Sequence, residues 1–368
     1  MKQLYYWTGI GILTFVSCNP VDRKQDITFP IVCHTGDIPK VEKKVLLSEL
    51  TDDVDIVRLE TNDSCLIKRT TQVYITDNYI GTPDGKTDLS FKLFDRKGHY
   101  VAQIGSKGQG PHEYLGLYCA SIDEAAGRIY LAEFVNADKL LCYDLAGKHI
   151  ENIPFYFKRL SKPQFFIKND TVTVVSMPFR SQEMLLFQQN MKGELIRFVP
   201  PPADFDLDKT EYYDEELFLT RNKGVFSFHY TGIDTLYGYD AKSNRLVPQF
   251  SLQMDGKKMR FPVYFEWPDH FFFIDWVTKT KILVDKHTGN AQYVKIINDF
   301  LGGLEVEYLM CNNDYAVIIC EAFKLRQDLE KALEKPGLSQ EVRDRMIELV
   351  DSIDDDDNPV LVIGKLKQ

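Results

Sequence analysis

The stretch LFDRKGHYVAQIG (93–105) reads as a β-hairpin: an apolar strand ending in Asp95, a turn carrying Gly98, and a second strand. The pattern returns four times, as CYDLAGKHIENIP (142–154), FQQNMKGELIRFVP (187–200), YGYDAKSNRLVPQF (237–250) and LVDKHTGNAQYVKI (283–296). The turn residues Gly98, Gly147, Gly193, Asn244 and Gly289 are spaced by 49, 46, 51 and 45 positions. Gly and Asn tolerate the positive φ of tight hairpins, so the spacing marks turns with a mechanism behind them. Two more strand-like runs precede each hairpin, for example Leu117–Asp123 and Arg128–Glu133 before the second. Four strands at a period of about 47 residues is the signature of a β-propeller blade.

Working outward, the ends of the chain set the blade count. Residues 1–17 read as a signal peptide, 18–51 as a partly extended leader, and 322–358 as a helical insertion; the 280 residues left make six blades of about 47. The expected fold is an all-β, six-bladed propeller over 52–368. Its last blade is assembled from both termini: Leu304–Cys311, Asp314–Cys320 and Pro359–Lys365 from the C-terminal side, and Asp53–Glu60 as the outer strand. Such closure leaves no free sheet edge. In the insertion Leu325, Leu329 and Leu333 recur at helical spacing, Pro336-Gly337 breaks the run, Ser339 is the expected N-cap, and Val342, Met346, Leu349 and Ile353 line a second helix. The hairpin is expected to cap one propeller face, with Arg343 and Glu348 as exposed charges.

With 368 residues, 44% of them hydrophobic and 12% aromatic, the chain is neither disordered nor collagen-like. Its 44 Lys and Arg against 54 Asp and Glu give −10, which argues against nucleic acid as a partner. Leu4–Val16 is an uncharged run of 13 residues, too short to span a bilayer but the length of a signal-peptide core. It ends in Phe15-Val16-Ser17-Cys18, which resembles a lipobox, so Cys18 is the expected lipidation site and membrane anchor. No later segment is long and apolar enough to span. The six remaining cysteines are expected to be buried free thiols, with Cys311 and Cys320 the pair best placed to bridge.

Five motifs, GSKGQGPHEY (105–114), KKVLLSEL (43–50), DIVRLET (55–61), INDFLGG (297–303) and DDDDNPVLVIGKLK (354–367), together resemble the six-bladed, NHL-like β-propeller lipoproteins of Bacteroidetes. The resemblance implies an exported, lipid-anchored protein of the cell envelope and no particular activity, and Asn19 after Cys18, unlike an inner-membrane retention Asp, favours the outer membrane. This chain differs from the group's pattern at His112, where Gly is usual, and at Phe300-Leu301.

Ligands are expected at loops joining the outer strand of one blade to the inner strand of the next. Those loops hold Lys107, Gln109, His112, Glu113 and Tyr114; Tyr156, Lys158 and Arg159; Tyr212, Tyr213, Asp214 and Glu215; Arg260, Tyr264 and Trp267; and Asn298 with Asp299. Aromatic faces beside carboxylates and amides suit a sugar, and Tyr264 and Trp267 lead that list. The glycines at 105, 108 and 110 are expected to leave backbone amides open, but GSKGQG is neither a Rossmann nor a Walker loop. An acid/base pair would have to come from His112, Glu113, Asp299 and Arg159. There is no G-x-S-x-G, no H-E-x-x-H and no spaced Cys/His cluster, and the run Asp354–Asp357 lacks the pattern of a calcium loop, so no metal or cofactor is expected. The expected function is a binding module for a glycan, a peptide or an envelope protein. The alternatives are a lyase or lactonase at the channel mouth, by fold analogy alone, and a scaffold in an outer-membrane assembly.

Overall fold

The computed structural model describes residues 29–70, 72–85, 90–177, 183–202, 205, 216–222, 225–254 and 261–367. The chain enters through β1 (Ile31–His34), β2 (Lys43–Leu46), the short helix α1 (Leu47–Leu50) and β3 (Thr51–Arg58). Blade 1 is β4 (Tyr74–Ile75), β5 (Tyr79–Pro83), β6 (Phe91–Asp95) and β7 (Tyr100–Ile104); blade 2 is β8 (Leu117–Asp123), β9 (Arg128–Glu133), β10 (Lys139–Asp144) and β11 (His149–Pro154). Blade 3 is β12 (Gln164–Lys168), β13 (Thr171–Val175), β14 (Leu186–Asn190) and β15 (Leu195–Val199); blade 4 is β16 (Leu217–Asn222), β17 (Val225–Tyr230), β18 (Thr235–Asp240) and β19 (Arg245–Gln253). Blade 5 is β20 (Pro262–Glu266), β21 (His270–Asp275), β22 (Lys281–Asp285) and β23 (Ala291–Asn298), followed by β24 (Leu304–Glu305). Blade 6 is β25 (Met310–Asn312), β26 (Tyr315–Cys320) and β27 (Val360–Leu366), with helices α2 (Ala322–Leu333) and α3 (Gln340–Ser352) between the last two strands. The six blades stand in a ring.

Closure joins the termini as expected: β3 pairs antiparallel with β27, Val360 opposite Arg58 and Ile363 opposite Asp55. Two details differ from the expected layout. The stretch 31–46 adds fifth strands to blades already built, β1 parallel to β19 and β2 parallel to β23. Ile31 and Cys33 are buried while Val32 and His34 are exposed, the alternation of a strand covering an edge. Leu304-Glu305, expected to begin the last blade's inner strand, folds back on β23 instead, because Gly302 and Gly303 both take positive φ and reverse the chain.

The five repeated hairpins share one device. All five turn residues have positive φ, and the Asp or Asn ending each preceding strand accepts a backbone N–H two residues on: Lys97 to Asp95, Ala146 to Asp144, Lys192 to Asn190, Lys242 to Asp240 and His287 to Asp285, at 2.7–3.0 Å. The buried apolar residues form six clusters, one at each junction between neighbouring blades. The largest also holds Leu325, Leu329, Met346 and Leu349, so the helical hairpin is packed into the junction of blades 5 and 6. Ser339 caps α3 through Val342 N–H. Arg343, expected as an exposed charge, donates to the Leu333 carbonyl at 3.1 Å and ties the two helices together. After the Asp354–Asp357 run, buried Asn358 bridges to the start of blade 1: its amide donates to the carbonyls of Glu60 and Cys65 and accepts from Ile67 N–H. The six described cysteines are free thiols.

Candidate functional site

Helix α2 roofs a cleft of about 500 Å³ between blades 5 and 6, a volume suited to a small ligand. Its floor is apolar, including Leu301, Val306, Met310 and Ile318. The loop INDFLGG builds one wall. Strand β23 ends at Asn298, a 3₁₀ turn spans Asp299–Leu301, and Gly303 N–H returns to the Asn298 carbonyl at 2.9 Å. Gly302 takes φ 66°, a left-handed conformation that favours glycine, and a Cβ there would lie 2.7 Å from the Met346 Sδ and Cε of α3. Arg345 adds a long hydrogen bond to the Phe300 carbonyl.

Asn298 is 4% exposed, lines the cleft, and its Oδ1 has no hydrogen-bond partner among the described residues. A buried amide oxygen without a donor costs roughly 1–3 kcal/mol. The same cleft is lined by Trp276, just past β21, and Tyr308, half exposed, their rings 6.1 Å apart edge to face, with the Tyr308 hydroxyl donating to the Trp276 carbonyl at 3.3 Å. Trp276 is braced from behind by Phe218 at 5.6 Å and Phe261 at 5.9 Å. The rim is charged: Lys324 pairs with Asp328 at 2.6 Å, Lys279 pairs with Glu307, and Arg69, Glu305 and Glu321 complete it. Cys320 also lines the cleft, but burial pushes its thiol up to about 12, leaving it protonated and inert at neutral pH.

The structure distributes the expected site residues widely. Asn298 lies in this cleft, whereas its neighbour Asp299 is spent on the Ser48 N–H at 3.1 Å. Tyr264 and Trp267 are core residues. Tyr264 packs on His229 at 4.1 Å between ring centroids, and Trp267 stacks on Phe272 at 4.5 Å with its indole N–H directed to Cys311 Sγ. The strand bearing Tyr264 is buried on both faces, so no alternation in the sequence distinguishes a ligand face from a packing face.

The 105–114 loop closes on itself rather than leaving amides open. Gly108 N–H reaches the Tyr114 carbonyl, Gly110 N–H the Glu113 carboxylate at 2.8 Å, and Tyr114 N–H the Ser106 carbonyl. Buried Tyr114 donates its hydroxyl to the Ile104 carbonyl and accepts from Phe91 N–H. Lys107 and Gln109 are exposed, and the His112 ring lies tilted against His149 at 3.8 Å between centroids. Arg159 is exposed at positive φ, its N–H held by Asp138, beside the exposed Tyr156 and Lys158. Cys18, Tyr212, Tyr213, Asp214, Glu215 and Arg260 lie outside the described residues. Among the described residues no three His, Cys, Asp or Glu side chains gather at metal-ligating spacing, and no helix is long and apolar enough to cross a membrane.

Reading the sequence alone missed Trp276, Tyr308, Arg69 and Lys324. Trp276 carries a usable signal, an aromatic set just past an apolar strand in the polar turn WVTKTK (276–281). The others come from separate segments that only the ring brings together.

Among solved structures, a Bacteroides fragilis protein described as exported matches with a TM-score of 0.66 at 17% identity, covering 92% of this chain and 99% of that one. A member of the duf4221 family from Bacteroides vulgatus matches at 12% identity and a TM-score of 0.45, covering 87% and 98%. At 17% identity the first likeness shows the fold alone. No curated protein matches the chain. The model described as a domain of unknown function, DUF4934, matches residues 31–365, and the chain therefore belongs to the DUF4934 family.

Proposed function

We propose that this protein is a lipid-anchored, non-enzymatic binding module of the cell envelope that takes a neutral glycan in the cleft between blades 5 and 6. The observation that carries the reading is the buried, unpartnered Asn298 carbonyl in a cleft walled by Trp276 and Tyr308. Sugar C–H faces lie against aromatic rings while their hydroxyls seek amides and carboxylates, and this cleft offers both. Anchoring rests on the lipobox-like Phe15–Cys18, with the acidic chain held at the membrane through acyl chains on Cys18.

The test uses the full chain. Thermal melting is recorded against a panel of neutral oligosaccharides, and a ligand at a hundred times its Kd should add about 2.7 kcal/mol of stability. Trp276→Ala and Asn298→Ala should each weaken the active sugar tenfold or more. A panel with no active member, or a hit that ignores both variants, sinks the glycan reading. In the same cells a clickable fatty acid should label the wild-type chain and not Cys18→Ala; labelling of both would remove Cys18 as the anchor.

A further inference from the structure

The opposite face of the ring, where hairpins join β12 to β13, β18 to β19 and β25 to β26, holds a second cleft, of about 550 Å³, between blades 3 and 4. Its back wall is one row of cross-strand partners on the blade 3 sheet. Phe166 pairs with Thr173, Thr173 with Gln188, and Gln188 with Arg197. Residues paired across antiparallel strands share a face of the sheet. Two residues further along the same strands, Val175, Leu186 and Val199 pack against blade 4 with Phe226 and Phe228, so this face is the one turned toward that blade. One row is the apolar filling expected between blades, and the next is polar.

That polar row is wired together and anchored. Gln188 Nε2 donates to Thr173 Oγ1 at 2.8 Å, with Thr173 1% and Gln188 8% exposed. Arg197 Nε donates to Gln188 Oε1 at 2.7 Å, and its NH1 donates to the Ala241 carbonyl of blade 4 at 2.6 Å. The guanidinium lies 5.8 Å from the centroid of the Tyr239 ring. Among the described residues no carboxylate forms an ion pair with Arg197. At the other end of the same row Phe166 packs on Phe226 of blade 4 at 4.7 Å, and Phe226 meets Tyr239 edge to face. A guanidinium fixed by two neutral acceptors presents its remaining N–H groups in a planar fork that matches a carboxylate.

We propose that this cleft binds a small monocarboxylate carried on a flat apolar body, an aryl acid, with the carboxylate on Arg197 and the ring against Phe166, Phe226 and Tyr239. One planar guanidinium fork matches one carboxylate, and Lys168 lines the cleft as a second cation. This site is independent of the Asn298 cleft.

The experiment is calorimetric titration of the full chain with phenylacetate, indole-3-acetate and, as the uncharged control, phenylacetamide. The acids should bind at least tenfold more tightly than the amide, and their advantage should shrink as salt rises. Arg197→Met should reduce the acids to the level of the amide, while Asn298→Ala leaves them unchanged. If Arg197→Met does not fold, Arg197→Lys, which keeps the charge and loses the fork, should weaken the acids several-fold. Equal affinity for acid and amide, insensitivity to salt, or no binding of either acid at millimolar concentration overturns the proposal.

Discussion

His229 shows how far a single side chain can depart from its solution behaviour inside this ring. It is wholly buried between blades 4 and 5, donates Nε2–H to the Ile233 carbonyl at 3.0 Å, and packs against Tyr264. Burial penalises its cation and pushes the pKa down to about 3, against an ordinary 6.5. Between those values the unfolded chain binds a proton that the folded chain refuses, so stability falls as the pH drops through that window. From pH 7.5 to pH 5 the loss from this group is about 2 kcal/mol. Urea unfolding at both pH values should show a drop about that much larger in the wild type than in His229→Gln. Equal drops in the two proteins would mean that His229 is not held neutral.

At the scale of elements, the repeated hairpin serves two ends at once. Gly147 takes φ 82°, and a Cβ there would also stand 2.3 Å from the Gln103 carbonyl on the outer strand of blade 1. Gly289 takes φ 71° but has open space around it. In blade 4 the equivalent residue is Asn244, whose amide donates to the Phe198 carbonyl of blade 3 and so turns the same close approach into a hydrogen bond. The turn at Gly147 therefore sets both the hairpin and its spacing from the neighbouring blade. Gly289→Ala should cost only the left-handed strain, about 1–2 kcal/mol, whereas Gly147→Ala adds a backbone collision and should cost about 2–5 kcal/mol in denaturant unfolding. Similar costs at the two positions would show that the blades slide apart without penalty.

For the whole molecule, the decisive element is β3, which carries the N-terminal side of the chain into the last blade. It pairs with β27 over Thr51–Arg58, and Val57 packs in a buried cluster with Ile80, Val317 and Leu361, so blades 6 and 1 meet through it. A chain beginning at residue 59 would expose the β27 edge and open that junction. Such edges pair with other chains. Size-exclusion chromatography should find this truncated chain aggregated, with no cooperative melt; a monodisperse monomer melting within a few degrees of the full chain would show that closure is dispensable.

Much of this was legible in the residues themselves. Hairpin turns are local: an Asp accepting an N–H two residues on and a Gly at positive φ need no distant partner, so five turns at a near-constant spacing determined the strand order, the blade count and the closing strand from both ends. The helical insertion was equally local, written in the spacing of Leu325, Leu329, Met346 and Leu349 around the Ser339 cap. The binding surface was not. Propeller strands are buried on two faces, so an aromatic on an inner strand, such as Tyr264, reads the same whether it packs or binds, and only Asn298 of the residues expected there lies in the roofed cleft. Trp276, Tyr308, Arg69 and Lys324 meet because ring closure and the helical hairpin bring segments more than 200 residues apart to one place. Tertiary structure alone decided which side chains face each other across blades, because that proximity is a property of the closed ring and of no single segment.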